Sequence, residues 1–250
     1  MNTSNRPVRH ASRECFATTR WTLVLAAGKN QPTLGTCAAL EELCRIYWYP
    51  LYAYVRRCGN HTHDAEDIVQ GFFARLIRLN SLSGTRREKG KFRAFLLAGI
   101  KHFMADEWER NSAAKRDVRK TVFLDALEAE SRYALEPVDH LTPERVFERQ
   151  WALSLLESVV RRLREEYVHT GRETLFEELS FALTGGRSEE GYAEIAGRLG
   201  LSEGALRVAI HRLRQRYRLL LREEIAHTLD EGEDIDAELA DLRRVLSDNN

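Results

Sequence analysis

An all-α fold is what this chain predicts, and three observations predict it. Glycine and proline are scarce, 15 and 5 of 250 residues, so the turn density of an all-β protein is missing. Apolar residues recur at steps of three and four through most of the chain, the spacing of one helix face. Hydrophobic residues make up 43% and charged residues 30%, which is enough apolar material to bury a core and too much for a disordered chain. The 38 basic residues balance 38 acidic ones. That excludes a uniformly basic nucleic-acid coat, but a whole-chain sum hides local charge.

Taken in order, residues 1–15 read as a flexible tail whose basic residues precede no apolar stretch, unlike a secretory signal. Residues 16–116 carry successive helical patterns. The segment 117–142 is acidic, weakly periodic and punctuated by Pro137, so it reads as a linker with room for a short helix. Helical patterning resumes at Pro143, a first-turn residue behind the capping Thr142, and a second helical unit spans 143–222, interrupted at 184–188 by TGGRS. The extension 223–250 holds ten acids against Arg243 and Arg244, yet Ile235, Leu239, Leu242 and Leu246 keep a helical stripe. It reads as a solubilising packed helix, or alternatively as a segment that covers the Arg207 to Arg222 face or meets a regulator until displaced.

No run approaches the roughly 18 apolar residues of a membrane span, so no crossing is expected. Cys15, Cys37, Cys44 and Cys58 show no CxxC spacing and read as scattered reduced thiols of a cytoplasmic protein. Cys58, His61 and His63 could share a metal, but a closed site wants a fourth ligand and none is suggested nearby. No metal and no cofactor are therefore expected. The chain has no GxxxxGK[ST], HExxH or GxSxG, and Glu165-Glu166 and Glu177-Glu178 read as solvated helix faces. No catalytic residue is expected and the chain does not read as an enzyme.

The segment 192–210, YAEIAGRLGLSEGALRVAI, reads as a helix-turn-helix. Ile195 and Leu199 lie one turn apart, Ala196 permits close approach, and Gly200 supplies the backbone freedom for a tight turn. Ser202 is a good N-cap. On the second helix Leu206, Ile210, Leu213, Tyr217 and Leu220 make a buried stripe, opposed by Glu203, Arg207, His211, Arg214 and Arg218. Residues 207–222 hold six arginines, Arg212, Arg216 and Arg222 among them, and no acid. A buried apolar stripe and a basic stripe delivered by a glycine turn suit a reader of the major groove. Arg207 and His211 are placed to reach base edges, with Arg214 and Arg218 on phosphates.

Two stretches of the first unit also stand out. In 64–77 Asp64 reads as an N-cap, with Ile68, Val69, Phe72, Phe73 and Leu76 as a core face and Asp67, Gln70, Gly71 and Arg75 outside. Residues 86–120 hold eleven basic residues against five acids, with Phe92, Phe95, His102, Phe103 and Trp108 interleaved. Aromatic faces among cations suit unstacked bases, although Phe95, Phe103 and Trp108 also read as largely core.

The segments YWYPLYAYVRR at 47–57, DAEDIVQ at 64–70, KFRAFL at 91–96 and the unit 192–217, in that order, resemble a bacterial RNA polymerase sigma factor of the extracytoplasmic-function (ECF) type. The resemblance implies two helical domains on a linker, the second containing the helix-turn-helix. It implies binding of core RNA polymerase through the clamp coiled coil of the largest subunit, by Asp64, Asp67, Gln70 and Arg75. It further implies melting of a minus-ten element and capture of an extruded base by Phe92, Arg93, Lys101, His102, Asp106, Arg110, Lys115 and Arg116. A minus-thirty-five element would be read as duplex by Glu203, Arg207, His211, Arg212, Arg214 and Arg218. Promoter DNA and an anti-sigma factor or other regulator are the further partners implied. The competing reading is a helix-turn-helix regulator that works without polymerase.

Overall fold

The structure is a computed structural model and describes residues 34–78, 91–113, 126–134, 141–183, 191–229 and 233–247. The described residues are helical and contain no strand. In chain order the helices are α1 (Leu34–Arg57), α2 (Thr62–Arg78), α3 (Phe92–Ala113), α4 (Ala126–Ala134), α5 (Pro143–His169), α6 (Glu173–Leu179) with a 3-10 turn (Ser180–Leu183), α7 (Tyr192–Arg198), α8 (Glu203–Ala226) and α9 (Ile235–Ser247). The expected tail 1–15 and the break at 184–188 lie outside the described residues.

Two apolar clusters hold these helices together. The first gathers α1 (Leu51, Tyr52, Val55), α2 (Val69, Phe72), α3 (Leu96, Ile100) and the leading half of α5 (Phe147, Trp151, Leu155). The second joins the trailing half of α5 (Val159, Leu163, Tyr167) to Phe176, Leu179, Ile195, Leu206, Ile210 and Leu213. Burying each such side chain stabilises the fold by about 1.5–3 kcal/mol. Among the described residues, the α1 and α5 helices share the most extensive contact. Glu42 reinforces it by accepting from Ser158 Oγ at 2.7 Å and from Arg161 at 2.6 Å.

Local chemistry explains the element ends. Thr142 accepts from the Arg145 amide at 3.4 Å and Pro143 opens α5, a pairing that fits an orphan first-turn amide. The short helix α4 falls inside the acidic segment 117–142, where Glu130 accepts from Arg56 at 2.7 and 3.1 Å and also from Tyr52. Burial would raise the Glu130 carboxyl, but these bonds bring it below the usual carboxylate range.

Three sequence expectations change. Asp64 does not cap α2, which starts two residues earlier at Thr62 and leaves Asp64 in the first turn, where the helix dipole still favours an acid. Gly71 does not face outward, because a Cβ there would sit 3.0 Å from the Phe103 ring, so it marks where α2 meets α3. Among the described residues, the extension 223–250 does not cover the Arg207, His211, Arg214 and Arg218 face of α8, which is exposed. Its helix α9 packs on α5 and α8, and of the α8 arginines it pairs with Arg222.

Candidate nucleic-acid interface

The turn that presents α8 is built as its residues require. Gly200 has φ +64, a left-handed conformation that costs glycine little, and its neighbour Leu201 donates back to Ala196 O at 2.8 Å. Ser202 accepts from the Ala205 amide at 3.2 Å and starts α8. Leu206, Ile210, Leu213 and Leu220 are then buried, with Tyr217 half-buried beside them. The opposite face of α8 is in water.

The six α8 arginines divide by partner. Arg216 makes a bidentate pair with Glu166 of α5, 2.5 and 2.8 Å, and its hydrogen bonds hold the Glu166 carboxyl below the usual range. Arg222 pairs with Asp236 of α9 at 2.5 Å. Arg214 Nε donates to Ala182 O at 2.9 Å, which closes the 3-10 turn, and Arg207 lies 3.3 Å from Glu203 one turn back. Arg212 and Arg218 are exposed. Arg207, His211, Arg214 and Arg218 line one shallow recess with Tyr192 and Ile210. Four of the six candidate duplex contacts thus converge, while Arg212 stands outside the recess.

In the first unit the candidates separate. Lys101 and His102 are exposed on α3 together with Ala94, Ala98, Ala105 and Trp108, a single stripe at three- and four-residue steps. Trp108 is 76% exposed. Of its two sequence readings, core and base-stacking surface, the exposed one holds, and the signal for it is its position seven residues after Lys101 on the same face. Phe103 is buried and Phe95 half-buried. Lys101 Nζ lies 2.7 Å from Glu144 of α5 and draws that carboxyl below its usual range.

Phe92 and Arg93 are placed differently, at 8% and 7% exposure. Phe92 packs edge-on against Tyr47. The Arg93 guanidinium lies over Trp151, 4.3 Å from the ring centre, and pairs with Glu238. Arg110 lies on α3, with its side chain outside the described residues, as are Lys115 and Arg116.

On α2, Asp64 and Asp67 are exposed and Gln70 is half-buried. Arg75 reaches across to Asp106 of α3 at 2.7 Å and lies near the Phe103 ring, 5.8 Å from its centre. One candidate of the polymerase set is therefore tied to one of the strand set. The pair fixes the relative orientation of α2 and α3 beside the Gly71 contact.

Among the described residues no group of three or more potential metal ligands is found, and no helix is long and apolar enough to cross a membrane. Residues 47–114, which span α2, α3 and the second half of α1, match the family model of sigma-70 region 2. No curated protein matches the chain, and no solved structure does.

Proposed function

We propose that the chain is a sigma factor of the sigma-70 family and of ECF type, which acts without catalysis of its own in promoter recognition and transcription initiation through two separate reading surfaces; the match of residues 47–114 to sigma-70 region 2 supports the reading. In this reading core polymerase takes α2 by its exposed acids Asp64 and Asp67 and by Gln70, against the clamp coiled coil of the largest subunit. The α3 stripe of Lys101, His102 and Trp108 holds a melted minus-ten strand, in which an unpaired base stacks on the indole and phosphates meet the cations. The recess on α8 reads a minus-thirty-five duplex, with Arg207 and His211 toward base edges and Arg214, Arg218 and Arg212 toward phosphates.

The observation that carries this reading is the exposure of Trp108 beside Lys101 and His102 on a helix of the matched region. A groove-reading helix alone fits a regulator that works without polymerase, but such a protein has no use for a solvent-facing indole on the same face of a second helix as Lys101 and His102. Run-off transcription with core polymerase over a promoter library tests it. Promoter-dependent product is expected, along with loss of co-purification with core polymerase in Asp67→Ala/Gln70→Ala. Absence of product at every salt concentration, with duplex binding intact, would assign the chain to the regulator class instead.

A further inference from the structure

The helix α9 lies outside the matched region, and its acids are directed at named cations. Glu238 is only 1% exposed; it pairs with Lys91 Nζ at 2.7 Å and with Arg93. Asp241 pairs with Lys91 and lies 4.0 Å from Arg93 Nη2. At the other end Asp236 holds Arg222 at 2.5 and 3.3 Å. Ile235, Leu239, Leu242 and Leu246 lay the apolar side of α9 on the first core. Lys91 immediately precedes α3 and Arg93 lies in its first turn, both within the basic, aromatic segment 86–120. Carboxylates of one helix thus occupy cations that a nucleic-acid strand would meet through its phosphates.

We propose that α9 is an autoinhibitory strap, in which Glu238 and Asp241 stand on Lys91 and Arg93 in place of strand phosphates, and that a single DNA strand gains this end of α3 only when α9 lifts. The proposal rests on the strand-binding role assigned to α3 above. Three features suit a strap. Ionic pairs in a buried seam are a poor source of net stability compared with apolar packing, yet removing one partner leaves the other cation seeking a new anion. A helix of 13 residues is marginal on its own, so α9 loses order once undocked and the transition has two definite states. It also follows α8 by a short connection, so it competes at a high effective concentration against free DNA.

The test uses the full chain and a fluorescent single-stranded oligonucleotide of about 12 nucleotides, within the known range of strand-binding site sizes. Binding is followed by anisotropy from about 50 to 200 mM salt. Glu238→Gln/Asp241→Asn is expected to bind about tenfold more tightly than the parent, the gain for a strap closed about nine-tenths of the time. Its salt dependence steepens by about 1.4 in logarithmic slope, two phosphates at roughly 0.7 each. Adding Arg93→Ala to that variant removes the gain. Should the double variant lose its helical circular dichroism, Asp236→Asn loosens only the exposed end of α9, and a smaller gain is expected there. In the parent, saturating oligonucleotide accelerates hydrogen exchange of the α9 amides.

Equal affinity and slope in parent and folded variant, a gain that survives Arg93→Ala, or slower exchange in α9 would each overturn the strap. No strand binding by either protein, when both direct promoter-dependent run-off, overturns it as well. Failure of run-off on every promoter strikes instead at the role assigned to α3.

Discussion

Gly71 and Gly204 are both helical glycines, and their surroundings give substitution opposite signs. A Cβ at Gly71 would lie 3.0 Å from Phe103, a buried ring held by the edge of Phe72 and by Arg75. Overpacking of about 1–3 kcal/mol then outweighs the gain in helix propensity of about 1 kcal/mol. Gly204 has nothing nearer than Ser202 Oγ at 3.9 Å. Denaturant melts should show Gly71→Ala destabilised by about 1 kcal/mol and Gly204→Ala stabilised by up to about the same amount. On α8 the partners of each arginine set a second contrast. Arg207→Ala is expected to relax discrimination among upstream duplex sequences by about 1–3 kcal/mol, whereas Arg218→Ala weakens all sequences alike and lowers the salt slope by about one. Electrophoretic competition between matched and scrambled duplexes separates the two, and equal losses on every sequence for both variants would contradict the assignment.

At the scale of elements, ion pairs join neighbouring helices at their rims. Arg216–Glu166 ties α8 to α5, Arg222–Asp236 ties α8 to α9, and Lys91–Asp241 ties the start of α3 to α9. In each pair the cation's hydrogen bond holds the carboxyl below its ordinary value. A carboxyl lowered by folding adds stability that is present above its ordinary value, 4.5 for Glu166 and 3.8 for Asp236 and Asp241. That stability disappears as pH falls through the lower folded value. The melting temperature should therefore drop between about pH 5 and 3, and Glu166→Gln should flatten the part of that slope due to its own ionisation.

The turn between α7 and α8 is legible in the sequence because its determinants are local: the left-handed glycine, the serine cap one residue before α8, and an apolar stripe at helical steps. The division of labour among the arginines was not legible. Arg216, Arg222 and Arg214 find their partners 50, 14 and 32 residues away, and a charge run cannot announce which of its members a distant helix neutralises. The sequence leaves Trp108 between two readings, core and base-stacking surface, for a related reason. Its helix is apolar around much of its circumference, so periodicity alone did not separate the face that meets water from the face that meets α1 and α2.

At the scale of the whole molecule, α5 belongs to both cores. Its Val146, Phe147, Trp151 and Leu155 sit in the first, and its Val159, Leu163 and Tyr167 in the second. Unfolding is expected to be one cooperative event. Ser158→Pro, at the junction, removes a helix hydrogen bond and costs about 3 kcal/mol or more. Trp48 and Trp151 report on the first core, and among the described residues no tryptophan lies in the second. Fluorescence and circular dichroism should therefore melt together in the parent and part in the variant.

The shared helix also acts as a ruler. At about 1.5 Å per residue the 27 residues of α5 span about 40 Å. In the proposed reading the molecule has both reading surfaces moored to that one rod, so their separation is held as long as the leading half of α5 stays on α1. The promoter spacing it accepts is then governed by neither reading helix, but by how readily the α1–α5 seam, with Glu42 bridging Ser158 and Arg161, comes apart.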